Sequence, residues 1–150
     1  MGTPQMDIHY FEKLYKKYKP AADVYQADLP SLQILAYAAL VMAAIDNFMD
    51  EEEIQLAKGF VHKHWKPDFG DRQIFMTGVD RQVVEFLVPE GRIYDLEEQK
   101  KLFFKEITSA LTSSLAAVLY CLIYDVMLSD GLKEERELGL LEGFVKEVGL

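Results

Sequence analysis

Apolar positions along this chain recur at three- and four-residue spacing, and no segment alternates strictly as a half-buried strand would. In the first segment Ile8, Phe11, Tyr15 and Tyr18 share one face, and Pro20 is expected to end the helix. Pro30 suits the first turn of a second helix, whose "LQILAYAALVMAAI" is apolar almost all round and therefore central. A third helix begins near Asp50, keeps Ile54, Ala57, Val61 and His64 on one side, and breaks at "KPDFGD". Asp71 caps a fourth with Phe75, Val79, Val83 and Phe86 inward, and "VPEGR" (88–92) reads as a turn. Asp95 caps a fifth carrying Phe103, Ile107 and Ala110. "LAAVLYCLIYDVML" is a sixth, again apolar nearly all round, and a seventh starts near Glu134 with Leu138, Leu141, Val145 and Val148 inward. The pattern predicts an all-α protein of about seven helices.

One stretch is written twice. "DNFMDEEEIQLAKGFV" (46–61) returns 84 positions later as "DGLKEERELGLLEGFV" (130–145), with seven of sixteen positions identical and no gap. The same shift lays the second helix on the sixth and the third on the seventh. Two helix–corner–helix units, about 29–65 and 113–150, are therefore expected to pack as pseudo-symmetric halves around two central buried helices. The shared Gly-Phe-Val is expected to be core, because duplication copies packing as readily as chemistry.

At 150 residues, half of them apolar, the chain is expected to form a single domain with a continuous core. A net charge of −9 argues against nucleic acid and anionic membranes, and favours cations or basic protein partners. The uncharged runs 29–45 and 107–124 fall short of the roughly 20 predominantly apolar residues a membrane helix needs. Cys121, the only cysteine, sits in an apolar run, which excludes a disulfide framework and fits a reducing compartment. "MGTPQMDIHYFEK" reads as neither a secretory signal nor a myristoylation site, so the cytoplasm is the expected location.

The doubled corner is strongly acidic. Asp50 with Glu53 has the form of a capping box, and Glu134 with Glu137 occupies the same places. Carboxylates in a first turn are favoured by the helix dipole, by roughly 0.3–1 kcal/mol each. Capping alone accounts for those four. Asp46 and Asp130 are different, since each stands at the negative end of the preceding helix, ahead of a residue suited to a left-handed turn, Asn47 or Gly131. An acid so placed, with more carboxylates four residues on, repels its neighbours unless solvent, a basic side chain or a metal neutralises it. A hard divalent ion (Ca²⁺, Mg²⁺ or Mn²⁺) takes the carboxylate and carbonyl oxygens such a corner offers. An EF-hand it is not: the sixth position from Asp46 is Glu51 rather than Gly, and the twelfth is Ala57.

A helix ending in Asp-Gly, then two residues, then an acidic cap with Glu three further on, resembles the TerB (tellurite-resistance) family. "DGLKEERE" follows that pattern, and "DNFMDEEE" departs from it at Asn47. The resemblance covers about 29–65 and 113–150. It implies an all-helical fold with two acidic corners, a metal site formed by Asp46, Glu53, Asp130 and Glu137, and a non-catalytic role in stress or tellurite and metal response.

Other chemistry is thinly represented. His62 and His64, two apart, point to different faces of a helix, and zinc-binding helical pairs need i,i+4 spacing. There is no Glu-x-x-His and no glycine-rich phosphate loop. Asp125 interrupts the apolar sixth helix, and is open to reading as an acid behind a site, as a buried acid of raised pKa or as a solvent-facing edge residue. Lys133 stands close enough in sequence to neutralise the second corner. "TSALTSS" marks a helix junction or close helix packing. The competing reading is a metal-independent interaction module whose acidic face docks a basic partner. A carboxylate-and-metal hydrolase lacks a dedicated base or nucleophile.

Overall fold

The computed structural model describes residues 8–45, 51–87, 96–127 and 135–150, with the side chains of residues 45, 96, 97, 127 and 135–137 outside that description. Seven α-helices fill these segments: α1 (Ile8–Asp23), α2 (Leu29–Ile45), α3 (Glu51–His64), α4 (Arg72–Leu87), α5 (Leu96–Ala110), α6 (Ser113–Met127) and α7 (Glu135–Val148). Among the described residues there is no strand, so the all-α expectation holds. No helix there is long and apolar enough to cross a membrane.

The two apolar helices are the centre of the packing. Helix α2 contacts α3, α4, α5 and α6, while α6 contacts α1, α2, α3 and α7. Every residue from Ala38 to Ala43 in α2 and from Leu115 to Ile123 in α6 is buried. An all-round apolar helix is stable only when its whole circumference is covered, and these two are covered by the other five. The remaining helices each contribute a stripe: Phe11 and Leu14 from α1, Val79 and Val83 from α4, Phe103 and Ile107 from α5, Phe144 and Val145 from α7. Full burial of such side chains stabilises by about 1.5–3 kcal/mol each before entropy is counted.

Local chemistry explains where helices begin. The Asp28 carboxylate accepts from the Ser31 amide at 2.9 Å, so α2 opens on an aspartate cap with Pro30 in its first turn. The Asp71 carboxylate accepts from the Gln73 and Ile74 amides at 2.8 and 3.2 Å, as its sequence position predicts. Thr112 Oγ1 accepts from the Leu115 amide at 3.2 Å, which makes the hydroxyl cluster the junction between α5 and α6. Between α3 and α4 a 3₁₀ turn over Pro67–Phe69 reverses the chain, and Gly70 takes a positive φ of 95° that other residues resist. Trp65 holds this knuckle: its Nε1 donates to the Gly70 carbonyl at 3.2 Å, and its ring meets Phe69 and Phe75 edge-on.

Two expectations are corrected. Helix α1 does not stop at Pro20 but runs through it to Asp23. Proline removes one amide donor, yet Ala22 is buried beyond it and Lys19 pairs with Asp23 at 3.1 Å across it. Ala110 is exposed at the end of α5, because Leu111 packs against the core in its place. The turn at 88–92 and the cap at Asp95 lie outside the described residues.

The 84-residue offset recurs in the helix bounds. Helices α3 and α7 end at matching positions, and α2 and α6 start at matching positions. Helix α2 contacts α3 and α6 contacts α7, but the α3–α6 contact has no comparable α7–α2 counterpart among the described residues, so the expected two-fold packing is not established.

Candidate functional site

The first turn of α3 carries three consecutive glutamates, and the helix turns them differently. Glu51 and Glu52 are exposed, while Glu53 is only 6% exposed. With Gln99 it is one of two buried polar or charged residues among those described. Steric periodicity explains the direction: Glu53, Ala57 and Val61 lie four apart on one face, and the other two are fully buried. Sequence periodicity placed Ile54 on that inner face; Ile54 is half-buried and Glu53 lies deeper. A carboxylate held there keeps its charge only with compensating hydrogen bonds, dipole or cation.

Of the other three residues assigned to the corners, Asp46 and Asp130 lie outside the described residues. Glu137 belongs to α7 at the position equivalent to Glu53, with its side chain outside the description. Asn47, Asp50, Gly131, Lys133 and Glu134 also lie outside. Among the described residues no three His, Cys, Asp or Glu side chains gather as a metal-holding group. The described part of the corner thus contributes one buried carboxylate, Glu53.

The matching Gly-Phe-Val motifs differ in burial. Phe144, Val145 and Val61 are buried, whereas Phe60 is half-buried and lies against the His64 ring at 4.4 Å between centroids. His62 and His64 do separate, as their spacing requires. His62 faces Arg72 of α4, whose guanidinium donates to its Nδ1. Burial, then the nearby Lys63 ammonium, holds the His64 imidazole below its ordinary value.

A polar seam that sequence reasoning only touched joins α1 to α6. The Tyr15 hydroxyl donates to Asp125 at 2.7 Å, and the Tyr15 ring stacks on Tyr124 at 4.3 Å. Lys19 bridges Asp23 at 3.1 Å and Asp125 at 3.7 Å. Burial, followed by Asp125, pushes the Tyr15 phenol up to about 12. Asp125 is thus a partly solvent-exposed acceptor that ties two helices together, in keeping with its reading as an edge residue. A cavity of about 50 Å³ adjoins the seam, lined in part by Lys63, His64 and Cys121. That is room for a few waters, at roughly 10–15 Å³ of such volume each. Burial pushes the Cys121 thiol up to about 11, so at neutral pH it stays protonated and is no nucleophile.

Tyr120 completes the seam, its hydroxyl donating to the Phe11 carbonyl at 2.7 Å inside the core. Nothing in its spacing in the sequence distinguished it from other core aromatics. No protein-family model, curated protein or solved structure matches the chain.

Proposed function

We propose that the protein is a TerB-like, non-catalytic accessory protein of a stress or metal response, which takes up a divalent cation at its acidic helix corners. The observation that carries this reading is the inward turn of Glu53, away from its two exposed neighbours, at the position Glu137 repeats 84 residues later. Capping alone asks a glutamate at that place only to reach back along its own helix end. A carboxylate drawn to 6% exposure also suits an oxygen donor to a hard ion, with Asp46 and Asp130 supplying further oxygens. Occupancy would alter the surface offered to a partner.

A second reading is favoured by the exposed Glu51 and Glu52 together with the net charge of −9. Here the corners are caps, and the acidic face docks a basic partner without any ion. The two readings part in a melting experiment on chelator-treated protein with Ca²⁺, Mg²⁺ or Mn²⁺ added back. An ion binding only the folded state at about 100 times its dissociation constant stabilises by about 2.7 kcal/mol. For a chain of this size that raises the midpoint by roughly 5–10 °C. A midpoint unmoved by every ion rejects the first reading and leaves the second.

A further inference from the structure

A cleft runs between α3 and α4, apart from the acidic corners, and its lining changes character along its length. Near the Trp65 knuckle it opens to about 630 Å³, walled by Lys58 and His62 of α3 and by Arg72 and Met76 of α4. Further along the same two helices it narrows to about 270 Å³, lined by Leu40, Ile54, Val83, Val84 and Leu87. Lys58 lines both parts. The helical register sets the two hollows side by side: Ile54, Lys58 and His62 stand four apart on α3, and Arg72, Met76, Asp80 and Val84 do so on α4. The wider hollow alone is of the size that holds a small molecule, roughly 300–1,000 Å³.

The wide half is a donor field in an otherwise acidic molecule. Lys58 and Arg72 bring full charges, and the Gln73 amide adds a further donor, while the Gln55 amide donates to Glu51 at 2.9 Å. Asp71 also borders it, but its carboxylate is already engaged with the Gln73 and Ile74 amides at the start of α4. Within this wall His62 Nδ1 accepts from the Arg72 guanidinium. Gly59 leaves this wall low, since a β-carbon there would meet nothing within 4 Å. The narrow half is aliphatic, with Asp80 on its rim, and Val84 stands 61% exposed. Leaving that much valine in water is unfavourable by about 25 cal/mol per Å² of apolar surface, and an alkyl chain laid along it removes the penalty.

We infer that this cleft binds an amphiphilic anion: a carboxylate or phosphate head on Lys58 and Arg72, and an alkyl chain along Val83, Val84 and Leu87. The inference is independent of the cation reading, since none of its residues belongs to the corners.

The test is a ¹⁵N NMR titration of the full chain with decanoate and with decyl phosphate, below their micelle concentrations. Decyltrimethylammonium and acetate serve as opposite-head and head-only controls. The two anionic amphiphiles separate the head groups, and saturable binding of either, with shifts on both α3 and α4, is expected. Each control is expected to bind at least about tenfold more weakly. The Lys58→Gln/Arg72→Gln double variant and Val84→Asp, all at exposed positions, are expected to lose about tenfold or more in affinity while keeping the helical circular dichroism of the parent. Equal binding of the cationic amphiphile, unchanged affinity in both folded variants, or no saturable binding of either anion overturns the proposal.

Discussion

Tyr15 shows how much a single side chain settles. Its spacing from Phe11 and Tyr18 placed it on the inner face of α1, and it does pack there, but its hydroxyl reaches 110 residues along the chain to Asp125. Periodicity reports which face a residue takes, not which distant polar group it meets. The bond joins a neutral donor to a charged acceptor that solvent partly reaches, so Tyr15→Phe should lower stability by about 1 kcal/mol in urea unfolding. In the folded protein the phenol is raised from 10 to about 12, so its contribution is complete below pH 10 and lost between pH 10 and 12. The wild-type advantage over Tyr15→Phe should shrink across that window. His64 runs the other way. Its folded-state value is depressed, so its contribution is complete above the ordinary value of 6.5 and declines as pH falls below it. Chemical denaturation between pH 7 and pH 5 should show a smaller loss in His64→Gln than in wild type.

Between residues and the whole lie the helices, and here the pattern was most readable. Two all-round apolar runs predicted two central helices, because only complete coverage makes such a sequence stable in water. Capping chemistry located the start of α4 at Asp71, whereas the Asp28 cap of α2 went unread beside the louder signal of Pro30. The end of α1 was misplaced, since a local rule about proline was outweighed by the burial of Ala22 and the Lys19–Asp23 pair. The burial of Glu53 went unread for a related reason: hydropathy ranks glutamate as surface, and only the three-dimensional register turns it inward. The repeated glycines offer a comparison at this level. A β-carbon at Gly59 meets nothing within 4 Å, but at Gly143 it approaches the Phe104 ring at 3.1 Å. Alanine at either position adds helix propensity of up to about 1 kcal/mol. Gly59→Ala should therefore raise the thermal midpoint by a few degrees, and Gly143→Ala should raise it less or lower it. Equal gains would mean that Phe104 yields without strain.

For the molecule as a whole, the sequence repeat and the helix bounds share one register, and the two acidic corners are its most distinctive feature. The role of the corners was less readable than the scaffold that carries them. Carboxylates at helix ends serve capping and coordination alike, and one sequence pattern encodes both. The α3/α4 cleft was not legible at all, because its cationic and aliphatic walls come from two helices whose facing sides only folding brings together. The cation proposal is tested most directly by isothermal titration of chelator-treated protein with Ca²⁺, Mg²⁺ and Mn²⁺, wild type beside Glu53→Gln and Glu137→Gln. Binding of at least one ion to wild type, weakened about tenfold or more in each variant, is the predicted result. No heat from any ion, or variants that bind as tightly as wild type, would contradict it.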